Sequence, residues 1–129
     1  MIAIDTNVIV RFLVNDDREQ AQRARALIEA EDTLVATSVL LESEWVLRSA
    51  YGLASRAVFE KLRAFLSLPR VFAQDRDAAL AALDWADQRM DFADALHLAS
   101  SANCEAFASF DRDPAKAAAK VGAPAMRAP

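Results

Sequence analysis

Cysteine is almost missing from this 129-residue chain: Cys104 stands alone, which excludes an internal disulfide framework and a multi-cysteine zinc site. A lone cysteine is ordinarily a buried bystander. Histidine is as sparse, with His97 the only one, so no imidazole cluster supports zinc either. Long apolar runs are lacking too. The opening MIAIDTNVIV has no basic leader and meets a carboxylate at Asp5, so it reads as neither signal peptide nor membrane span. The cytosol is the expected compartment. There is no internal repeat, low-complexity tract or linker, and 54% hydrophobic composition suits one domain with one core. Residues 1–129 are therefore expected to form a single domain, with the Ala/Pro-rich tail after about 121 loose.

An excess of basic charge is also missing, since the formal net charge is −4. Phosphate is repelled by an acidic surface, so this balance speaks at first against a nucleic-acid partner. Bound divalent cations would reverse that locally, because such ions are often the largest charges in a site. Arginine outnumbers lysine, at Arg11, Arg18, Arg23, Arg25, Arg48, Arg56 and Arg63 among others. A backbone-contacting rim is one reading of these; scattered helix-surface arginine is the plainer one.

What is present is an alternation of short apolar runs with longer helical patterns. Ile2 to Ile4 predicts a buried strand, followed by a helix with Val8, Ile9, Phe12 and Leu13 on one face. Asp16 or Asp17 can cap a second helix that turns Ala21, Ala24, Leu27 and Ile28 inward. A strand over Leu34 to Ala36 leads to a helix capped by Ser38 and running to about Tyr51, with Gly52 just past its end. Ala54 to Leu66 and Ala78 to Arg89 read as amphipathic helices with a short strand at Val71 and Phe72 between them. A helix from Phe92 to about Ala102, a strand from Ala106 to Ser109 and a last short helix from Pro114 complete the pattern. This predicts an α/β fold of three layers, a mostly parallel central sheet with helices on both faces.

In such folds ligands gather beyond the carboxyl ends of the strands. Asp5 follows the first apolar run and Asp111 follows the Ala106 to Ser109 run, so both open onto one edge if those strands are parallel neighbours. Asp5 also suits the cap of the following helix. Glu42 falls at helical spacing with Val39, Trp45 and Val46, a face expected to pack, where a carboxylate needs a cation or strong hydrogen bonds. Glu44 precedes Arg48 by four residues, the spacing of an exposed ion pair. Glu42 is the candidate of the two. Asp91 and Asp94 sit at the start of one helix, where capping by Asp91 and metal binding by Asp94 are compatible. His97, one turn on, suits packing or surface. Asp113 before Pro114 has the setting of a cap, which leaves Asp111 as the better ligand.

These blocks resemble those of a known family. Asp5-Thr6-Asn7, Leu40-Leu41-Glu42 with Trp45-Val46-Leu47-Arg48, Asp91-Phe92-Ala93-Asp94-Ala95-Leu96 and Ser109-Phe110-Asp111-Arg112-Asp113 are similar, in order, to the acidic blocks of PIN domains. The closest likeness is to VapC-type toxins of bacterial toxin–antitoxin pairs. The resemblance implies an acidic quartet of Asp5, Glu42, Asp94 and Asp111, accessory acids at Asp91 and Asp113, and small polar residues at Asn7 and Ser109 that orient the quartet. Ser109 stands where threonine is more usual, and Pro114 where an aromatic is common.

Carboxylates suit hard, oxygen-seeking cations, so magnesium or manganese is expected. The resemblance implies a metal-dependent endoribonuclease leaving a 5′-phosphate and a 3′-hydroxyl, a cognate antitoxin protein, and a homodimer. An acidic pocket would also attract an arginine or lysine from that antitoxin, whose apolar helix is expected beside the early helices. Two other classes remain open. A receiver-like acidic pocket expects paired acids after the first strand and a lysine after a late one, and this chain has neither. A non-catalytic PIN scaffold would share the fold without the cleavage.

Overall fold

Short strands need little sequence when helices bury them, and each strand here is three residues long. The computed structural model describes residues 1–111 and 123–129. The chain divides into two compact units, Met1–Arg76 and Asp77–Pro129.

The first unit runs β1 (Ile2–Ile4), α1 (Thr6–Val14), α2 (Arg18–Ala30), β2 (Thr33–Val35), α3 (Thr37–Ser49), α4 (Ser55–Leu66) and β3 (Val71–Ala73). The strands form a parallel sheet in the order β1-β2-β3, with Ile4, Val35 and Ala73 in register at its carboxyl edge. Parallel pairing requires a crossover between successive strands, and a pair of helices supplies each one. Ile4, Thr33, Val35 and Val71 are buried on one face of the sheet. The fully enclosed Thr33 is satisfied twice at the Arg70 carbonyl, by its amide at 2.8 Å and its hydroxyl at 3.3 Å. Ile9 and Val10 of α1, Ala24 and Ile28 of α2, Leu40 and Leu47 of α3, and Val58, Leu62, Phe65 and Leu66 of α4 fill the core. Phe12 meets Phe65 edge-on at 5.4 Å.

Helix ends are set by local chemistry. Asp5 caps α1 and Asp17, of the two candidate aspartates, caps α2 through the Gln20 amide. Asn15 closes α1 in the left-handed region, a conformation asparagine tolerates better than most residues. Gly52 takes φ +65° just beyond α3, as its position predicts. The start of α3 differs from expectation. Ala36 is the cap residue and Ser38 lies inside the helix; the Gln74 side chain, from the end of β3, accepts the Thr37 amide at 3.0 Å instead.

The second unit contains α5 (Arg76–Asp87), α6 (Phe92–Ala99), β4 (Ala106–Ala108) and β5 (Ala125–Arg127). Buried Ala82, Leu83, Trp85 and Ala86 line α5, and Phe92, Ala95, Leu96 and Leu98 line α6. After α5 the Met90 amide bonds the Trp85 carbonyl and the Arg89 amide bonds that of Ala86. This is a Schellman closure with Arg89 at φ +73°, a position glycine ordinarily occupies. β5 lies in the tail expected to be loose. It pairs in parallel with β4, because backbone groups can complete a ladder without any side-chain pattern.

The α/β architecture with parallel strands, and with six helices among the described residues, agrees with the expected fold class. Among the described residues β1 pairs with β2, and β4 with β5. The last helix, expected from Pro114, lies outside the described residues.

Candidate functional site

The carboxyl edge of the first sheet is where chain direction, helix dipoles and acidic side chains meet. Asp5 is the first residue past β1, and its Oδ1 accepts the Asn7 amide at 2.9 Å. Capping occupies one acceptor position of a carboxylate that offers about four. Asp5 can therefore cap α1 and still face a cation. Thr6, the first residue of α1, is 6% exposed. Its hydroxyl donates to Oε1 of Glu42 across 36 positions of sequence. Glu42 on α3 is so tied to the residue next to Asp5.

The face of α3 that packs is not the one expected. Its buried positions are Leu40, Ser43, Glu44 and Leu47, while Glu42 is exposed and Trp45 is 57% exposed. The apolar residues Val39, Leu40, Leu41, Trp45, Val46 and Leu47 nearly encircle the helix, so periodicity alone allowed two phases. Glu44 does pair with Arg48, at 2.8 Å, but its side chain is only 5% exposed. The exposed ion pair expected there is a largely buried carboxylate under a half-exposed guanidinium. Glu42 has both solvent access and a fixing hydrogen bond, a better position for a cation ligand than a packed face would be.

Thr6 is the participant that sequence reasoning missed as part of the site. Its only signal was a hydroxyl inside Asp5-Thr6-Asn7, which suits a helix cap equally well.

Behind α1, a polar network holds the helices in place. Arg11 Nη1 donates to the Tyr51 hydroxyl at 2.8 Å, Tyr51 donates to Asp16 Oδ2 at 2.9 Å, and Arg11 Nε donates to Gln20 at 2.7 Å. The Tyr51 hydrogen bond, helped by the Arg11 charge, holds the Asp16 carboxyl below the usual carboxylate range. The same hydroxyl, with Asp16 beyond it, raises the Arg11 guanidinium. Arg11, Arg25, Arg48 and Arg56 all stand in ion pairs, which accounts for these four arginines without a nucleic acid. Beside Asn7, an open groove of about 410 Å³ runs between α1 and α2, floored by Val8, Ala24 and Leu27 and edged by Arg11 and Arg23.

In the second unit, Asp91 caps α6, its Oδ1 accepting the Asp94 amide at 3.0 Å. Asp94 lies in the first turn and exposed His97 in the last. Beyond β4, the Ser109 hydroxyl accepts the Asp111 amide at 3.0 Å, and the Ser109 amide bonds the Arg127 carbonyl of β5 at 2.9 Å. Ser109 thus positions Asp111. Asp113 lies outside the described residues.

The candidates fall into two groups: Asp5, Asn7 and Glu42 in the first unit, and Asp91, Asp94, Ser109 and Asp111 in the second. Among the described residues, no three Asp, Glu, His or Cys side chains converge within either unit as ligands of one ion. The donors at the first sheet edge are two carboxylates and a hydroxyl, with no thiol or imidazole. An all-oxygen set fits a hard divalent cation and not zinc. Cys104, the one thiol, is exposed and not the buried bystander expected.

A comparison with curated protein sequences returns no significant match. The family model described as PIN domain matches residues 2–120, nearly the whole length and all four acidic blocks, and the chain belongs to the PIN domain family.

Proposed function

We propose that this protein is a magnesium- or manganese-dependent endoribonuclease that hydrolyses RNA phosphodiester bonds as the toxin of a toxin–antitoxin pair. PIN domains are generally nucleases, often metal-dependent, and this much follows from family membership. The observation that carries the finer reading is the Thr6 to Glu42 hydrogen bond, which ties a solvent-accessible carboxylate to the residue that follows Asp5 at the end of a parallel strand.

In this account the carboxylates that serve as metal ligands are Asp5 and Glu42 in the first unit and Asp94 and Asp111 in the second. When bound, the metal supplies a water of lowered pKa and positive charge against the scissile phosphate and leaving 3′ oxygen. The chain's own groups orient the carboxylates. The Asn7 amide fixes Asp5, the Thr6 hydroxyl fixes Glu42, the Asp91 cap fixes the helix start that carries Asp94, and the Ser109 hydroxyl holds the Asp111 amide. Hydrolysis leaves a 5′-phosphate and a 3′-hydroxyl, with no covalent intermediate on the protein. Residues 1–129 act as one domain. A cytosolic enzyme of this kind needs restraint; the cognate antitoxin supplies it by laying an apolar helix on the groove of Val8, Ala24 and Leu27 and a basic side chain on the acidic cluster. The active form is a homodimer. Among the described residues no helix is long and apolar enough to cross a membrane.

The test is cleavage of single-stranded RNA by purified protein with magnesium, with manganese and with chelator. Metal-dependent cleavage that disappears in Asp5→Asn supports the reading. Metal-independent cleavage overturns the metal assignment, and a folded protein that cleaves nothing returns the chain to a non-catalytic scaffold. Co-purification with the product of the adjacent reading frame tests the toxin assignment.

A further inference from the structure

We infer that Trp45 is a stacking platform for an unpaired nucleobase of the RNA substrate, placed one helical turn from Glu42; the inference rests on the nuclease reading above and adds a binding residue to it. The chain has two tryptophans, and they are treated oppositely: Trp85 is 7% exposed in the packed face of α5, whereas Trp45 is 57% exposed on α3. The inward seam of α3 is complete without it, since Leu40, Ser43, Glu44 and Leu47 make up the buried face. An indole this open does not serve the fold.

Its neighbours indicate what covers it. Three residues before Trp45 stands exposed Glu42, held by Thr6, which follows Asp5. Residues i and i+3 share a helix face, separated by about 4.5 Å along the axis, on the order of one stacked nucleotide step. A phosphate at the carboxylates would therefore carry an adjacent base to the indole. Around Trp45 on α3 the exposed residues are Ser38, Glu42, Arg48 and Ser49, and α3 carries no second exposed large apolar side chain. A single aromatic surface within a polar, partly charged rim suits a base with its polar edges and flanking phosphates. A protein interface centres on a cluster of apolar groups instead. Bases in a duplex are already stacked and closed to such a side chain, so the preferred RNA is single-stranded at the cut.

Tryptophan fluorescence tests this directly, because Trp85 is shielded and acrylamide quenching reads Trp45. Asp5→Asn protein with magnesium, which binds without cutting, is titrated with a single-stranded RNA oligonucleotide and with the same sequence as a duplex. Single-stranded RNA is expected to protect Trp45 from acrylamide, duplex RNA is not, and the change disappears in Trp45→Phe. In the enzyme with Asp5 intact, Trp45→Ala is expected to weaken RNA binding roughly ten- to hundredfold, with the loss falling mainly on KM, and Trp45→Phe to recover most of it. Trp45→Ala that binds RNA as tightly as the parent, or Trp45 that becomes protected simply on raising protein concentration without RNA, overturns the inference. The latter result assigns the indole to a contact with a second copy. Failure of the nuclease reading is distinct: RNA then protects Trp45 while no metal supports cleavage by the parent protein.

Discussion

The two units carry acidic groups that are built differently. In the second unit two of the supports are local: Asp91 caps its own helix three residues on, and Ser109 holds the amide two residues on, although Ser109 is itself tied to the Arg127 carbonyl of β5. In the first unit Asp5 makes the same kind of local cap, but Glu42 is held by a hydroxyl 36 residues away on another helix. Local supports form wherever the helix or turn forms. The Thr6 to Glu42 bond exists only when α1 and α3 are packed, so one carboxylate of the candidate site depends on tertiary structure. It follows that substitutions in the first unit can damage the site without damaging any helix, and the predictions below are chosen to break or sharpen that contrast.

The largest expected effect separates two glutamates on one helix. Glu42→Gln is expected to lower RNA cleavage more than about a hundredfold, beyond the 10–100-fold typical of residues that only support metal ligands, with thermal stability retained. Glu44→Ala is expected to do the opposite, costing about 1.5–3 kcal/mol in urea unfolding by removing a nearly buried partner of Arg48, with activity per folded molecule retained. Cleavage lost in Glu44→Ala at full stability would mean that the packed and open faces of α3 have been exchanged.

Next comes the long-range support itself. Thr6→Val keeps the buried shape and removes the hydroxyl, so cleavage is expected to fall about 10–100-fold with the thermal midpoint little changed. Ser109→Ala removes an exposed local bond and is expected to cost less than about tenfold. Equal losses in steady-state cleavage would erase the distinction between tertiary and local support.

A smaller contrast concerns two left-handed helix ends. Arg89→Gly, in the second unit, is expected to stabilise by about 0.5–1 kcal/mol, since arginine is strained at φ +73°. Asn15→Gly, at φ 59° in the first unit, is expected to be nearly neutral because asparagine already tolerates that region. Chemical denaturation of both variants checks this pair.

The smallest effect is a pH dependence. Tyr51 and Arg11 lower the Asp16 carboxyl in the folded protein, so their contribution to stability is present above the unfolded aspartate value of about 3.9 and is lost as pH falls below it. Tyr51→Phe should therefore melt slightly below the parent at neutral pH, with the gap closing as pH drops through that range. A gap that widens in acid would show that Asp16 is not the group concerned.

Legibility in the sequence follows the same line between local and distant. Strand and helix positions, a cap for α2 at Asp16 or Asp17, the Asp91 cap and the Gly52 stop were readable because each depends on residues within a few positions. The phase of α3 was not, since apolar residues surround it and only packing against α1 and α4 selects Leu40, Ser43, Glu44 and Leu47. The Gln74 cap of Thr37 and the Thr6 bond to Glu42 join distant segments, and β5 lies in an Ala/Pro-rich tail with no alternating pattern. The acidic blocks themselves were visible as residues, but their supports were visible only where they were local.

The most direct measurement of the central claim is single-turnover cleavage of a labelled single-stranded RNA by the parent protein and by Asp5→Asn, each across a magnesium titration, with circular dichroism confirming that both are folded. The account predicts that cleavage by the parent rises from nothing in chelator to saturation with magnesium, and that Asp5→Asn stays at background throughout. Cleavage by Asp5→Asn at the parent's rate and the parent's magnesium dependence would contradict it.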